Sequence, residues 1–140
     1  MLETYAKAVK DLGVKTALVV RGDDGLDEIS LCAQTNIYEI EDGKIKNYKI
    51  SPKDFGFELA KPKDIEGQIA SESVEIMKDV LSGKKSAIYD LVALNSGASL
   101  YACNKASSIL EGVLTAKSIL DSKKALEKLE EVINFSKKAS

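Results

Sequence analysis

Residues 16–28 read TALVVRGDDGLDE, and this stretch decides the predicted fold. Its first part, Thr16 to Val20, is a short continuous apolar run rich in β-branched side chains, which is typical of a strand covered on both faces. A polar glycine loop, Gly22 to Glu28, follows at the C-terminal end of that strand. In parallel α/β sheets this end of a strand is where ligands bind. The stretch therefore predicts a buried parallel strand that leads into a candidate site.

The segment after the loop predicts a β-hairpin. Two residues, Asp42 and Gly43, separate segments 36–41 and 44–50, and an Asp-Gly pair in this position is a strong short-range signal for a tight turn. The turn also sets which residues face each other across the two strands. The expected pairs are Glu41 with Lys44, Glu39 with Lys46, and Ile40 with Ile45. Opposite charges then face each other, as do apolar side chains, so the register is self-consistent.

Helical patterns account for the start of the chain and for most of its second half. Apolar residues recur at helical spacing within residues 2–9, and four more helices are predicted from Ser71 onward. The second of these four, Ala87 to Ala102, carries many small residues, which allow close helix packing. The last one runs from Lys123 to about Lys137. We therefore predict a single-domain α/β fold: a helix, a buried parallel strand, a β-hairpin and four C-terminal helices.

The bulk composition is that of an ordinary globular protein. The 140 residues are 44% hydrophobic and 30% charged, with a net charge of −2, so we expect no basic surface for nucleic acid. The chain has no histidine, which excludes a Ser-His-Asp set and a histidine-ligated zinc site. Cys32 and Cys103 lack metal-ligand spacing and are expected to be buried thiols in a reducing compartment. With no signal peptide and no membrane-spanning apolar run, we expect a cytoplasmic protein that does not bind membranes.

Four acidic residues fall within the six positions 23–28 and concentrate negative charge beside two glycines. Magnesium prefers oxygen ligands, usually takes one or two carboxylates, and completes its octahedron with water and substrate phosphates. Because Asp27 and Glu28 are adjacent, an irregular backbone can aim both carboxylates at a diphosphate. Acidic and glycine residues are also what solvated turns use. The pattern alone leaves both interpretations open.

A family resemblance favours the magnesium interpretation. The run from Leu12 to Ser30 resembles the segment around the DGLDE motif of anthranilate phosphoribosyltransferases. The hairpin, the segment from Pro52 to Gly56, and the segment from Asp90 to Ala106 resemble the same family in the same order. The resemblance implies that residues 1–140 are the C-terminal part of a glycosyltransferase α/β domain with a nucleoside phosphorylase/phosphoribosyltransferase fold. The N-terminal helical domain and the glycine-rich phosphate loop of that family are expected to be absent from this portion.

The resemblance also implies an activity. The family transfers a phosphoribosyl group from phosphoribosyl pyrophosphate to anthranilate in tryptophan biosynthesis, and its motif Asp and Glu hold Mg²⁺ against the diphosphate. These residues are Asp27 and Glu28 here, and no residue of this portion inherits a catalytic or further cofactor-binding role. Stabilising the departing pyrophosphate needs no strong base, which agrees with the absence of histidine. The implied partners are the two substrates, further copies of the protein and an anthranilate synthase glutamine amidotransferase component. This portion alone is expected to be inactive, because much of the substrate cage lies outside it.

Two other interpretations stay open at this level. One is an enzyme of the same fold with a different acceptor, such as a pyrimidine nucleoside phosphorylase or an orphan phosphoribosyltransferase-like protein. The other is a non-catalytic phosphate-binding or interaction module. The motif followed by Ile29-Ser30 favours the anthranilate enzyme, and retention of both Asp27 and Glu28 argues against a non-catalytic module. Arg21 stands where the family often has histidine, so it is assigned no role.

Overall fold

The computed structural model describes residues 1–66 and 70–138, which form a three-stranded sheet and five α-helices. The strands, in their order across the sheet, are β1 (Thr16–Gly22), β2 (Thr35–Glu41) and β3 (Lys44–Ile50). The helices are α1 (Leu2–Asp11), α2 (Ala70–Leu81), α3 (Ala87–Ala102), α4 (Ile109–Asp121) and α5 (Lys124–Lys138). Short 3-10 helices lie at Pro52–Phe55 and Pro62–Asp64. The mixed α/β class, the first helix, the hairpin and the four C-terminal helices are thus confirmed.

The prediction of a buried parallel strand is wrong for the described residues. There, β1 is an edge strand that pairs only with β2 and runs antiparallel to it. Thr16 to Val20 are half-buried rather than covered completely. Leu18 and Val20 pack against the core on one face, and α1 lies against β1 and β2. An apolar run reports how much surface a strand buries but not the direction of its neighbour, and here helices and an antiparallel partner provide that burial.

The hairpin has the predicted register. Asp42 and Gly43 both adopt positive φ, at 46° and 75°, as a two-residue turn of this type requires. The facing pairs include the three expected ones, which are Glu41 with Lys44, Glu39 with Lys46, and Ile40 with Ile45. The turn chemistry therefore determines how β2 and β3 align.

Glu39 behaves differently from the surface charge that the register suggested. Its side chain is almost fully buried, at 6% exposure, and it accepts a hydrogen bond of 2.5 Å from the Tyr101 hydroxyl on α3. Lys46, which faces Glu39 across the strands, instead forms an ion pair of 2.8 Å with Glu41. The pKa of Tyr101 is raised to about 12, and the hydrogen bond with Glu39 is the largest cause. Burial, followed by a hydrogen bond with Glu39, raises the pKa of Tyr48 as well.

The helical layer is organised around a close contact between α3 and α4. A Cβ atom added at Gly112 would lie 2.1 Å from the carbonyl oxygen of Gly97, and one added at Gly97 would lie 2.4 Å from the backbone nitrogen of Val113. No real Cβ makes such contacts, so both glycines are needed for this approach. The small residues of α3 predicted this close packing, and the structure confirms it. This contact holds α3, which also lies against β1, firmly against α4.

The structure also bears on the expectations about membrane-spanning segments and about the two cysteines. In the part of the chain that the structure describes, no helix is long and apolar enough to cross a membrane. Both cysteines are free, but only Cys32 is partly buried. Cys103 is exposed, because it lies just past the end of α3, where the chain leaves the core. The expectation of two buried thiols is therefore wrong for Cys103.

Candidate metal-binding loop

The acidic loop belongs to the long connection between β1 and β2. At its base the Asp23 backbone N–H donates to the Gln34 carbonyl at 2.8 Å, which extends the pairing of the two strands. Inside it the Gly22 N–H donates to the Leu26 carbonyl at 2.9 Å. A Cβ at Gly22 would lie 2.3 Å from an Asp24 carboxylate oxygen, so this position must be glycine for Asp24 to fold back over it. The loop is therefore a compact, internally bonded structure.

Asp24 organises the loop rather than facing solvent with a free charge. Its carboxylate accepts hydrogen bonds from the Leu26 N–H at 3.2 Å and from the Ser30 hydroxyl at 2.6 Å. Ser30 is fully buried, and its oxygen also accepts from the N–H groups of Cys32 and Ala33 at 2.9 and 3.1 Å. Asp24 and Ser30 together supply partners for the backbone of both arms of the connection.

Asp23 is paired with a cation. Both of its carboxylate oxygens accept hydrogen bonds from Lys49 of β3, at 3.0 and 2.8 Å. The side chains of Lys49 and Asp23 remain 50% and 43% exposed, so the pair adds little stability. The pair changes the local charge, because the Lys49 ammonium group neutralises one of the four acids of the loop.

The far end of the loop is fixed by α3. Asn95 accepts a hydrogen bond from the Ile29 N–H at 2.9 Å and donates to the Ile29 carbonyl at 2.9 Å. Ile29 itself is buried, at 2% exposure. The residue immediately after Glu28 is therefore held on both of its backbone groups by a helix far along the chain.

Asp27 and Glu28 are the two acids of the loop whose side chains have no bonding partner among the described residues. Both are exposed, and in the described structure neither side chain forms a hydrogen bond or an ion pair. Residues 1–66 and 70–138 contain no cluster of three or more His, Cys, Asp or Glu side chains suited to a metal ion. Two adjacent carboxylates do fit magnesium, which needs only one or two from the protein when phosphate and water complete its coordination.

An open groove of about 560 Å³ runs between α1 and β1 and reaches this loop. Its apolar side is formed by Tyr5, Leu18 and Val20, and its polar end contains Arg21 and Asp27. The groove therefore joins the edge of β1 that has no strand partner among the described residues to one of the two unpaired acids.

Sequence reasoning selected Asp27 and Glu28 as candidates, which stays a prediction, and it missed the residues that hold the loop on either side of them. The roles of Asp24, Ser30 and Asn95 depend on hydrogen bonds that the motif does not encode. A signal existed for Asn95, because it is an amide within an otherwise largely apolar face of α3. A half-buried amide on such a face still needs hydrogen-bond partners, and the structure shows that two of them are the backbone groups of Ile29 in the loop.

Comparison with known proteins places the chain in one family. A family model described as "Glycosyl transferase family, a/b domain" matches residues 1–126. The anthranilate phosphoribosyltransferase of Clostridium beijerinckii is 44% identical over 132 residues, which are 94% of this chain and 39% of that protein. The chain thus spans about 40% of the length of the relatives it matches.

Solved structures agree with the family match. The anthranilate phosphoribosyltransferase of Thermus thermophilus superimposes with a TM-score of 0.87 and 33% identity, over 96% of this chain and 39% of that one. The enzyme of Saccharomyces cerevisiae in complex with PRPP and Mg superimposes with a TM-score of 0.85 and 28% identity, over 95% and 39% of the two chains. The arrangement of helices and strands described above therefore matches the corresponding part of these enzymes.

Proposed function

Because the chain belongs to the glycosyl transferase family through its α/β domain, matched over residues 1–126, we propose that it is the C-terminal part of that domain in an anthranilate phosphoribosyltransferase. The whole enzyme would move a phosphoribosyl group from phosphoribosyl pyrophosphate to the amine of anthranilate and release pyrophosphate. The relatives with this name support the assignment, and so does the yeast structure that contains PRPP and Mg. We propose a cytoplasmic enzyme of tryptophan biosynthesis.

One observation carries the site assignment. Of the four acids in the loop, Asp23 is paired with Lys49 and Asp24 is bonded to Ser30, whereas Asp27 and Glu28 have no partner in the described structure. We propose that Asp27 and Glu28 would hold Mg²⁺ against the diphosphate. Bound there, the ion would supply positive charge next to the leaving pyrophosphate.

The other residues of the loop would serve this role by controlling charge and backbone position. Lys49 neutralises the charge of Asp23, and the Ser30 hydroxyl fixes the position of the Asp24 carboxylate. The backbone bonds around Leu26 and Ile29 would keep the two free carboxylates in place before substrate arrives. Such preorganisation lowers the cost of binding a charged ligand.

The rest of the substrate cage would come from the longer protein. The chain covers 39% of the Clostridium beijerinckii relative, and β1 has an edge without a strand partner within residues 1–66 and 70–138. We propose that the remaining portion of the enzyme packs along this edge and its groove. Oligomer formation and association with an amidotransferase component are proposed for that whole enzyme. The 140 residues alone are expected to give no turnover.

The test uses a full-length form in which this chain follows the N-terminal portion that its relatives have. Consumption of anthranilate is followed by fluorescence across a Mg²⁺ titration for the wild type, Asp27→Asn and Glu28→Gln. Each variant should lose on the order of 100-fold in kcat/KM and need more Mg²⁺. Glu41→Gln is the matched control and should leave both quantities unchanged, because Glu41 of β2 faces Thr16, at the end of β1 away from the loop.

Two results would contradict the proposal. One is an unchanged Mg²⁺ dependence in both loop variants, which would remove the metal assignment. The other is turnover of uridine with phosphate in place of anthranilate with phosphoribosyl pyrophosphate, which would identify a nucleoside phosphorylase instead. A separate result, turnover by the 140-residue chain on its own, would contradict only the expectation that the remaining portion of the enzyme is needed.

A further inference from the structure

The two free acids of the loop lie between two residues whose backbone groups are both fixed. On one side, the Leu26 N–H donates to Asp24 at 3.2 Å and the Leu26 carbonyl accepts from Gly22 at 2.9 Å. On the other side, the N–H and the carbonyl of Ile29 both bond to the Asn95 side chain at 2.9 Å. Only the pair Asp27-Glu28 separates these fixed points. The direction in which the pair presents its carboxylates therefore depends on both anchors.

The two anchors differ in where they come from. Asp24 and Gly22 belong to the loop itself, so they shape it locally. Asn95 lies 66 positions beyond Ile29 on α3 and is the anchor that relates the loop to the rest of the fold. An asparagine suits this task because its amide both accepts and donates, and the second hydrogen on Nδ2 is used by the Leu91 carbonyl at 3.1 Å.

The element that carries Asn95 is held firmly. Two residues further along α3, Gly97 contacts Gly112 of α4 so closely that neither position can take a side chain. On the sheet side, Tyr101 of the same helix donates to the buried Glu39. A site supported by a rigid helix is held more accurately than one supported by a loop alone.

We propose that Asn95 is a positioning residue for the proposed metal ligands Asp27 and Glu28. Its two hydrogen bonds to Ile29 fix the backbone that follows Glu28, and through it the carboxylates that would bind Mg²⁺. The proposal rests on the metal role proposed above for those two acids. Residues that orient metal ligands without touching the metal typically contribute 10- to 100-fold to metal affinity or activity when they are removed, so the expected effect is about 10-fold.

The experiment compares Asn95→Ala and Asn95→Asp with wild type in the full-length form. The Mg²⁺ concentration for half-maximal activity should rise about 10-fold in Asn95→Ala, with little change in KM for anthranilate. Asn95→Asp should raise this Mg²⁺ concentration at least as far, because aspartate still accepts from the Ile29 N–H but places a carboxylate oxygen against the Ile29 and Leu91 carbonyl oxygens. Asn47→Ala is the matched control, since the Asn47 amide also donates two hydrogen bonds, but to the Asn36 side chain and the Ile37 carbonyl on β2.

A second measurement keeps the test decisive if activity is low. Mn²⁺ is titrated into each folded variant with pyrophosphate present, and free Mn²⁺ is followed by electron paramagnetic resonance. Weaker Mn²⁺ binding in Asn95→Ala and unchanged binding in Asn47→Ala support the proposal. If Asn95→Ala fails to fold, Asn95→Asp decides in its place.

The outcomes separate this proposal from the one it rests on. If Asn95→Ala lowers thermal stability but leaves the Mg²⁺ requirement unchanged, while Asp27→Asn raises that requirement, the positioning role is overturned and the metal site stands. If Asp27→Asn and Glu28→Gln leave the requirement unchanged as well, the metal site itself is wrong.

Discussion

Two acidic, glycine-containing turns lie at opposite ends of the same sheet, and they differ in what becomes of their charges. At the hairpin turn, Glu41 accepts from Lys46 at 2.8 Å, and this hydrogen bond lowers the pKa of the Glu41 carboxyl. In the acidic loop, Asp27 and Glu28 stay without a partner among the described residues. The residue types are alike in the two turns, so composition does not distinguish them.

The backbone distinguishes the two turns more sharply than the charges do. Residues around Asp42 and Gly43 are held by the regular pairing of β2 with β3. The backbone of the acidic loop instead depends on side chains. Asp24 and Asn95 accept backbone hydrogen bonds that the pairing of strands would provide in a β-sheet. The proposed metal role of the acidic loop is supported by this difference, because its backbone is held at Leu26 and Ile29 while the two acids between them stay unpaired among the described residues.

Both regions are tied to α3, so disturbing that helix should have the largest effect. Gly112→Ala places a Cβ 2.1 Å from the Gly97 carbonyl oxygen, and backbone cannot move aside as a flexible side chain can. We expect the free energy of unfolding to fall by about 3 kcal/mol. Urea unfolding followed by circular dichroism measures this change.

Gly43→Ala is the control for the hairpin side of the comparison. Gly43 has open space around it but a φ of 75°. Alanine there should lower the free energy of unfolding only through its left-handed backbone conformation, by about 1 kcal/mol. If the two substitutions destabilised the chain equally, α3 would not be the common support of the loop and the hairpin.

Tyr101→Phe tests the tie between α3 and the hairpin. Removing the hydroxyl leaves the buried Glu39 without its 2.5 Å donor, and we expect a loss of about 2 kcal/mol at pH 8. The pKa of Tyr101 is raised from 10.0 to about 12, so the folded protein keeps this proton at pH values where the unfolded chain has lost it. The stabilisation is therefore complete below about pH 10 and disappears as the pH rises through about 12.

Urea unfolding of wild type and Tyr101→Phe across pH 8 to about 12 checks both size and sign. The matched control is Tyr38→Phe, because Tyr38 is a half-buried tyrosine on β2 whose hydroxyl has no hydrogen-bond partner in the described part of the chain. A gap between wild type and Tyr101→Phe that widened at alkaline pH would show that the hydroxyl does not stabilise the fold through its proton.

The features that sequence predicted correctly are those decided by near neighbours. The turn at Asp42-Gly43 sets the hairpin register within a few residues, and helical spacing marks the helices along their own length. The acidic loop could be proposed as a site for a similar reason, because its motif is continuous from Asp24 to Glu28, and its metal role stays a prediction.

The features that sequence did not predict are decided by contacts between distant parts of the chain. The direction of β1 relative to its neighbour depends on β2, which is reached only after the loop. Glu39 meets Tyr101 across 62 positions and Ile29 meets Asn95 across 66. Neither partner can be chosen from local spacing. Only the polar character of Asn95 within an apolar face hinted that such a partner existed.

Glu41→Gln should have the smallest effect and completes the comparison. Lys46 and Glu41 stay 58% and 52% exposed, so water and salt screen their attraction, and we expect the urea midpoint at pH 7 and physiological salt to match that of wild type. Because the pKa of Glu41 is lowered from 4.5 by Lys46, any contribution is present above pH 4.5 and is lost as the pH falls through the folded pKa. A clear loss of stability at pH 7 would show that exposed acids on this sheet are structural. The unpaired state of Asp27 and Glu28 would then no longer separate a ligand-binding loop from an ordinary turn.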